Sequence, residues 1–369
     1  MDKKIVYIVK TKLHYYPPCV SQIRMIHDLG YEVEVLYGTS NESAIKLLED
    51  ENIRCEKIGN ISDDCRNKIL KLYNFIKFRF SLGKKIKKYD PNNTLFWFGT
   101  AETSIPMIGK LNNIKYVVSF LELLDDNKLK VKLLKGIANK AAATTVCEET
   151  RGYIMKYWWK LNKLPFVFPN KPYNLLTEKN NKGSIDETKK IISKIKGKKV
   201  ILYQGIIQNT EELCEIAKAL KEINKNYIFV LMGIDKYNSV KKIEEIYNNM
   251  IYVNYIPAPY HLEITSNAYI GITFYRNDSL NKAFCAPNKI YEYSGFGIPI
   301  LANDIPGLKN TIGKFNAAEC IQLNKNNVIE ALNKIEENYE KYSANAKNFF
   351  ASTDNKKTMR KLFLEINIK

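Results

Sequence analysis

Residues 269–302 read YIGITFYRNDSLNKAFCAPNKIYEYSGFGIPILA, and this stretch decides the fold class. Tyr269–Phe274 and Pro299–Ala302 are short runs of apolar, mostly β-branched or aromatic residues, which is typical of strands buried on both faces. Between them, Pro287 fits the first turn of a helix, and Gly295 is typical of a helix end. A strand, a helix and a second strand in this order predict a parallel β-α-β unit.

The same alternation of strands and helices runs along the chain. The other predicted strands are Ile5–Val9, Val33–Tyr37, Leu95–Phe98, Tyr116–Phe120, Ala143–Val146, Phe166–Phe168, Val200–Tyr203, Tyr227–Met232 and Ile251–Val253. The alternation breaks where the sequence Pro-Asn-Lys-Pro at 169–172 is followed by a polar stretch, which is typical of a boundary. Apolar residues at near-helical spacing over 348–368 predict one terminal helix.

We therefore predict an α/β protein with two Rossmann-like, doubly wound domains that face a cleft. The first domain would span residues 1–172 and the second residues 173–350. The C-terminal helix, residues 351–369, is a candidate to return to the first domain. Open parallel sheets bind ligands at the carboxyl ends of their strands, so the cleft is the expected site.

The composition excludes several classes of protein. The 369 residues are 45% hydrophobic and 26% charged, with 17 Gly and 12 Pro, which is typical of a globular chain. Seven cysteines without a C-x-x-C pair and only three histidines fit neither a disulfide scaffold nor a multi-histidine metal site. The N-terminal apolar run is too short for a signal peptide and no stretch of 18 apolar residues occurs, so we expect a cytoplasmic protein.

The net charge of +18 predicts an anionic partner, unless it only reflects the base composition of the genome. Residues 65–89 contain nine basic residues and no acidic one, with apolar residues interleaved. This pattern predicts either a helix on an anionic membrane surface or a helix that packs its apolar face on the sheet. The basic residues predicted to face a membrane or an acceptor are Lys77, Arg79, Lys84 and Lys85. No nucleic-acid motif is visible, so no nucleic-acid partner is expected.

The segment that follows Phe274 carries the chemistry. A proline at the start of the helix leaves the N–H groups of Asn288 and Lys289 pointing outward, and such groups beside a lysine are typical of a phosphate site. Arg276 can approach from the end of the preceding strand. Glu292 lies one turn further along, where its carboxylate can accept hydrogen bonds from the vicinal hydroxyls of a ribose. An ordinary loop–helix–strand unit is the alternative.

Residues 287–308, PNKIYEYSGFGIPILANDIPGL, resemble the stretch PNK-x-x-EY-x-x-x-G-x-P of GT-B glycosyltransferases of the family 4-like kind. Residues 200–205 look like the strand and glycine turn that open the donor domain of that family, and residues 168–172 resemble its interdomain link. Leu121 and Glu122 stand where many members have His-Glu. The resemblance covers most of residues 195–315 and the N-terminal half only thinly.

The resemblance implies a nucleotide-sugar donor, linked to UDP or GDP, in the second domain and an acceptor in the first. Glu292 would hold the ribose hydroxyls, and the lysine turn with Gly205 would hold the diphosphate. The residues predicted to bind the donor are Gly205, Gln208, Asn209, Arg276, Asn281, Pro287, Asn288, Lys289, Tyr291 and Glu292. The residues predicted at the base are Tyr255, Ile256 and Pro257.

The implied activity is transfer of a hexosyl or related group with retention of anomeric configuration, without a metal or another cofactor. The positive cradle would stabilise the leaving diphosphate. The sequence contains no Asp-x-Asp pair, which holds a divalent ion in glycosyltransferases of the other main fold. The expected acceptor is a glycan on a polyprenyl-type lipid in the synthesis of a bacterial surface polysaccharide, such as capsule or O-antigen. The enzyme would then be peripheral on the inner face of the cell membrane.

Three residues that follow strands of the first domain are candidates for catalysis on the acceptor side: Glu122, His14 and Glu102. Each has a structural alternative. Glu122 and Glu102 would then be structural carboxylates, and His14 a surface or stacking histidine. Glu148, which follows another strand, fits better as a helix cap.

Two departures from the family pattern keep other functions open. Phe284 stands where many members have a glutamate that contacts the donor sugar, and the turn after Gly205 lacks their Arg and Lys. We predict that Lys289 and Arg276 supply the missing charge. A sugar-nucleotide epimerase of the same fold would convert the donor without an acceptor. A non-catalytic binding protein, suggested by Phe284 and Leu121, would bind the nucleotide without turnover.

Overall fold

The computed structural model describes residues 4–59, 67–208, 210–223 and 225–368. Two compact units divide them. The first unit comprises the described residues within Met1–Tyr173, Ser279–Asn281 and Asp354–Lys369. The second unit comprises those within Asn174–Asp278 and Lys282–Thr353. Each unit is built around its own parallel sheet.

The first sheet has seven strands in the described part of the chain, in the order β3-β2-β1-β4-β5-β6-β7. They are β1 (Lys4–Lys12), β2 (Glu32–Thr39), β3 (Arg54–Lys57), β4 (Thr94–Phe98), β5 (Lys115–Phe120), β6 (Ala143–Val146) and β7 (Phe166–Val167). The helices up to β7 are α1 (Pro17–Asp28), α2 (Glu42–Glu49), α3 (Lys68–Ile86), α4 (Ala101–Ser104), α5 (Lys128–Lys140) and α6 (Glu149–Trp159). Short 3-10 helices cover Leu13–Tyr15 and Ile105–Met107.

The second sheet has six strands among the described residues, in the order β10-β9-β8-β11-β12-β13. They are β8 (Val200–Gln204), β9 (Ile228–Met232), β10 (Met250–Val253), β11 (Ile270–Thr273), β12 (Ile300–Asn303) and β13 (Ala318–Ile321). The helices that follow β7 in the chain, up to Thr353, are α7 (Asp186–Ile195), α8 (Thr210–Ile223), α9 (Ser239–Ile246), α10 (His261–Thr265), α11 (Leu280–Ala283), α12 (Asn288–Gly295), α13 (Pro306–Leu308), α14 (Lys325–Glu337) and α15 (Tyr339–Ser352). A π-helical turn covers Lys309–Gly313.

Both sheets confirm the predicted fold class. The described strand pairs are parallel in each sheet. In each sheet the strand order reverses once, next to the first strand of the unit, which is the doubly wound pattern. The central strands β4 and β8 are buried along their whole length, because helices cover both faces of the sheet.

Two strands were not predicted, β3 and β13. Both lie at the edge of a sheet, and both are only four residues long. The residues of β3 read RCEK and are half-buried or exposed. Edge strands are often short and charged, and they therefore lack the apolar run that marks a central strand.

The prediction of one terminal helix was wrong, because α15 ends at Ser352 and a separate helix, α16 (Asn355–Glu365), follows. The Asp354 side chain accepts a hydrogen bond of 2.9 Å from the Lys357 N–H and caps the second helix. α16 buries apolar side chains in the core of the first unit, where the Phe363 and Trp97 ring centroids are 6.3 Å apart. The end of the chain therefore returns to the first unit.

Candidate functional site

The carboxyl ends of β8 and β11 meet where the strand order of the second sheet reverses. In open parallel sheets this position forms the ligand crevice. Gly205 follows β8 with φ +127°, and Gly233 follows β9 with φ +142°. A Cβ on Gly233 would lie 2.0 Å from the Gly205 carbonyl oxygen, so the two turns pack too closely for a side chain there.

Helix α12 begins beside this glycine turn. Its N-cap is Pro287, one residue earlier than the predicted position inside the first turn. The proline side chain has no hydrogen-bond acceptor, so it cannot accept from the first-turn N–H groups of Asn288 and Lys289. The Lys289 Nζ would lie 3.1 Å from a Cβ on Gly205. The structure thus brings together the predicted glycine turn, the helix start and the lysine.

Two aromatic rings flank the ammonium of Lys289. Its Nζ lies 4.8 Å from the centroid of the Tyr203 ring and 5.5 Å from that of Tyr275. Burial lowers the pKa of Lys289 to about 8, against the opposing attraction of the Glu292 carboxylate. In the described part of the chain, no carboxylate lies within ion-pair distance of Nζ. A half-buried cation without a paired anion beside free N–H groups is suited to bind phosphate.

Glu292 is buried, with 6% of its surface exposed. Its Oε2 accepts a hydrogen bond from the Gln204 Nε2. The Gln204 Oε1 accepts in turn a hydrogen bond of 2.7 Å from the Thr265 hydroxyl. The other carboxylate oxygen, Oε1, lies 3.5 Å from the His261 Nε2. Each oxygen of Glu292 therefore faces one nitrogen of the protein and keeps lone pairs for further donors.

The three residues predicted at the base lie in the loop between β10 and α10. Tyr255 is 46% exposed, whereas Ile256 is buried in the core and Pro257 is half-buried. Of these three side chains, only Tyr255 presents an exposed ring on which a base could stack. The loop leads directly into His261 at the start of α10.

Two other predicted donor residues have side-chain partners within the second unit. The Arg276 Nε lies 3.2 Å from the Glu212 Oε1, which neutralises part of its charge. Tyr291 is buried and stacks on Phe349 at a centroid distance of 5.0 Å, so its side chain belongs to the core. Gln208 is exposed after the glycine turn. Asn209 lies outside the described residues.

Asn281, also predicted to bind the donor, belongs to the first unit together with Ser279 and Leu280. Its Oδ1 accepts a hydrogen bond of 3.0 Å from the Leu123 N–H, and its carbonyl oxygen accepts one of 2.6 Å from Arg151. Its own N–H donates to Asp125 at 3.2 Å. These bonds place Asn281 with the chain that follows β5 in the first unit.

A cavity of about 290 Å³ lies at the carboxyl ends of β11, β12 and β13. Its lining includes Glu212 and Tyr275. Asn303 holds the Tyr275 backbone from both sides, since its Oδ1 accepts from the Tyr275 N–H at 3.0 Å and its Nδ2 donates to the Tyr275 carbonyl at 2.7 Å. The Tyr275 backbone is therefore held in place, and the residue both lines the cavity and lies beside the Lys289 ammonium.

In the first unit, the loops that follow β1, β4 and β5 leave the same edge of the sheet. Glu122 follows β5. Partial burial, and then the negative charge of Glu102, raise the pKa of Glu122, although part of the residue stays exposed. Glu102 lies in α4 and forms an ion pair with Lys130. Because Glu102 is ion-paired with this lysine and Glu122 is not ion-paired in the described residues, Glu122 is the better candidate for proton transfer.

His14 lies in the 3-10 helix after β1. Its Nδ1 accepts a hydrogen bond of 3.0 Å from the Asn41 N–H, and its ring packs edge-on against Tyr15 at 4.5 Å. Burial and then the charge of Lys12 lower the pKa of His14. The neutral ring therefore carries its proton on Nε2, which can donate but cannot accept. This geometry does not suit a general base.

Glu148 caps α6, as predicted: its carboxylate accepts hydrogen bonds from the Thr150 and Arg151 N–H groups at 2.9 and 3.0 Å. No helix in the part of the chain described by the structure has the length and apolar character that crossing a membrane requires. Within the same residues, no group of three or more His, Cys, Asp or Glu side chains is arranged to hold a metal ion.

Helix α3 combines two apolar faces. Phe78, Leu82 and Ile86 are buried in the core of the first unit. On the opposite side, apolar residues repeat at three- and four-residue intervals and are 43–79% exposed. These exposed residues are Ile69, Leu72, Tyr73, Ile76 and Phe80. We call them the α3 stripe.

The four basic residues predicted on this helix divide into two pairs. Lys85 forms ion pairs with Glu34 and Glu56, and the Arg79 guanidinium donates to the Ile108 carbonyl at 2.9 Å. These two side chains therefore bind the rest of the first unit. Lys84 is exposed, and the Lys77 Nζ lies 5.9 Å from the Tyr73 ring centroid, so both flank the α3 stripe.

No protein-family model matches the chain, and no curated protein matches it by sequence. Solved structures do match. HepE of Anabaena, in complex with UDP and glucose, is 13% identical over 99% of both chains, with a TM-score of 0.72. A glycosyltransferase of Rickettsia africae is 14% identical over 100% of this chain and 98% of its own, with a TM-score of 0.67.

A protein of Listeria monocytogenes assigned as a UDP-N-acetylglucosamine 2-epimerase is less similar in structure. It is 13% identical over 94% of this chain and 91% of its own, with a TM-score of 0.57. At such identities the similarity establishes the fold. The chain has the two-sheet α/β fold of the GT-B glycosyltransferase structures.

Four residues of this site were not predicted from the sequence: Gln204, Gly233, His261 and Thr265. Gly233 could have been predicted, because it directly follows β9 just as Gly205 directly follows β8. Gln204 is a polar residue at the end of an apolar strand, which was also readable. His261 and Thr265 carried no signal, because only the packing of α10 on α12 brings them to Glu292.

Proposed function

We propose that the chain is a glycosyltransferase that binds a nucleotide sugar in its second unit. The observation that carries the proposal is the arrangement at the switch point of the second sheet. There a lysine without an ion pair among the described residues, a glycine turn and a helix start lie beside a buried carboxylate that retains free lone pairs. A diphosphate fits the first three groups, and the vicinal hydroxyls of a ribose fit Glu292. HepE, which shares the fold, was crystallised with UDP and with UDP-glucose.

In the proposed reaction, the bond between the anomeric carbon and the diphosphate oxygen breaks, and a bond to an acceptor hydroxyl oxygen forms. Negative charge develops on the leaving diphosphate, where the Lys289 ammonium and the N–H groups of α12 stabilise it. The acceptor proton passes to a diphosphate oxygen or to Glu122. The reaction needs no metal in this proposal, since Lys289 supplies the positive charge, and it retains configuration as in the family that the sequence resembles.

We further propose an acceptor that is a glycan on a lipid carrier, in the synthesis of a surface polysaccharide. The α3 stripe supports this choice, because an apolar face flanked by Lys77 and Lys84 is suited to the surface of an anionic membrane. Membrane binding would bring the first unit to its acceptor, on the cytoplasmic face.

Calorimetric titration of UDP, GDP and their sugars into the full chain tests the donor site. We expect micromolar binding of one nucleotide class, and a loss of about 10- to 100-fold in affinity for Glu292→Gln, because a charged acceptor of two hydroxyls is replaced by an amide. Glu336→Gln is the matched control, since this carboxylate pairs with Lys199 and Lys225 instead. Absence of binding by the unchanged protein would refute the proposal.

An epimerase remains the second candidate, supported by the Listeria structure of the same fold. Incubation with the nucleotide sugar alone separates the two functions. An epimerase converts the sugar without an acceptor, whereas a glycosyltransferase releases the nucleotide faster when a lipid-linked glycan extract is added. Nucleotide binding without either reaction would indicate a binding protein.

A further inference from the structure

Helix α10 supports Glu292 at both of its carboxylate oxygens. His261, the first residue of the helix, places its Nε2 3.5 Å from Oε1. Thr265, one turn later on the same helix, donates to Gln204 at 2.7 Å, and Gln204 donates to Oε2. Residues four apart lie on the same side of a helix, so a single short helix reaches both oxygens.

The imidazole of His261 has no other polar task in the described residues. Its Nδ1 is buried and lacks a hydrogen-bond partner there. Leaving a buried nitrogen unpaired is unfavourable, so packing alone would be served better by an apolar side chain. The proximity of Nε2 to the carboxylate is the interaction that explains a histidine at this position, with the ring proton on Nε2.

We propose that His261 and Thr265 are positioning residues that hold the Glu292 carboxylate in the plane required by the two ribose hydroxyls of the nucleotide. A carboxylate offers about four lone-pair sites; the Gln204 amide uses one on Oε2, and the His261 Nε2 faces one on Oε1 from 3.5 Å. One site on each oxygen then remains for one hydroxyl. The proposal rests on the assignment of Glu292 to the ribose, made above.

This arrangement connects two parts of the nucleotide site. α10 follows the loop of Tyr255 directly, so the segment next to the predicted base also sets the carboxylate for the ribose. The site would therefore discriminate ribonucleotides from deoxynucleotides through residues that need not touch the ligand. Glu263 on the same helix does not take part: its carboxylate accepts hydrogen bonds from Ser184 and Thr188.

The test compares binding of UDP and of 2′,3′-dideoxyuridine diphosphate to the full chain by calorimetry, with the corresponding guanosine pair in parallel. The unchanged protein should prefer the ribonucleotide by about 10- to 100-fold, from two hydrogen bonds to a charged group. His261→Ala should reduce this preference by about tenfold, through weaker binding of the ribonucleotide only. Thr265→Val should act in the same direction.

Two further variants separate positioning from folding. His261→Gln returns an N–H donor and should restore part of the preference. Glu263→Gln alters the same helix without touching Glu292 and should leave the preference unchanged. If His261→Ala weakens both nucleotides by the same factor, or neither, the inference is overturned while the proposed function stands. If the unchanged protein binds no nucleotide, the proposed function fails first.

Discussion

The Lys289 ammonium rests on the turn of Gly205, so that a Cβ on Gly205 would lie 3.1 Å from Lys289 Nζ. The two residues are 84 positions apart in the sequence, and the sheet brings them together because β8 and β11 are neighbours at the switch point. The space over the glycine is therefore the space that a diphosphate would share with the lysine. The second unit presents this pair at the carboxyl edge of its sheet.

Gly205→Ala should weaken UDP binding by about tenfold, because the added methyl group displaces the lysine. The substitution should also cost roughly 1–3 kcal/mol of stability, since φ is +127° there. Gly197→Ala is the matched control: φ is +72° and nothing lies within 4 Å of its Cβ, so it shares the strain and not the contact. Equal UDP affinities for the two variants would contradict the assignment of the turn.

Lys289→Met should weaken UDP binding by about 10- to 100-fold, from the loss of charge-assisted hydrogen bonds to phosphate. The same variant should unfold at a higher temperature, by roughly 2–4 °C, because burial of the ammonium opposes folding. Calorimetric scanning and titration measure the two effects on one sample. A variant that loses stability and keeps its affinity would show that Lys289 is structural.

The affinity for UDP should fall as the pH rises above about 8. The pKa of Lys289 is about 8 in the free protein, and a bound phosphate favours the charged form. Below pH 8 the lysine is already charged before UDP binds. Above pH 8 the protein must take up a proton when UDP binds. Titrations from pH 7 to 9.5 should show up to a tenfold weaker affinity per pH unit. The Lys289→Met variant should give a flat profile over this range, and a sloping one would assign the effect to another group.

The contribution of Lys289 to the stability of the free protein should become more favourable as the pH rises, whereas the UDP affinity falls. The folded-state pKa of Lys289 is lower than the ordinary value of 10.5, so between about 8 and 10.5 the unfolded chain binds more protons at this group. Its unfavourable contribution is complete below pH 8 and disappears as the pH rises to 10.5. The difference in unfolding free energy between Lys289→Met and the unchanged protein should therefore shrink across this window.

Glu122→Gln should lower the turnover number by about 100-fold if this carboxylate takes the acceptor proton. UDP affinity should not change, because Glu122 is assigned to the acceptor. Glu102→Gln, which removes a carboxylate already paired with Lys130, should have a smaller effect. UDP release stimulated by a lipid-linked glycan extract provides the rate. Similar rates for both variants would indicate that the leaving diphosphate, and not Glu122, accepts the acceptor proton.

Replacing Leu72 and Ile76 of the α3 stripe by serine should reduce binding to anionic vesicles by about tenfold or more, since each exposed side chain loses apolar contact with lipid. Stability should hold, because both residues are exposed. The control replaces Leu176 and Leu364, which are at least as exposed and lie outside the helix. Vesicle flotation gives the readout, and equal retention by the two double variants would argue against membrane binding through α3.

The elements that were predicted correctly from the sequence are those whose burial is visible in their own residues. β4 is apolar throughout because both of its faces are covered, and this pattern is visible without the fold. β3 is charged and half-exposed, so its pairing with β2 depends on the neighbouring strand. The break before α16 depends on the Asp354 cap, a single hydrogen bond inside an otherwise helical pattern.

The sequence alone determined the two α/β units and the pairing of a proline-led helix start with Lys289 and Glu292, because these follow from periodicity and from spacing within one helix. Only the tertiary structure decided which neighbours these groups receive. Tyr291 packs against Phe349, and Arg276 pairs with Glu212. The partners in each contact are far apart in the sequence, so neither contact is visible in the local sequence pattern. The tertiary structure also brought His261 to Glu292, through a helix that follows a different strand.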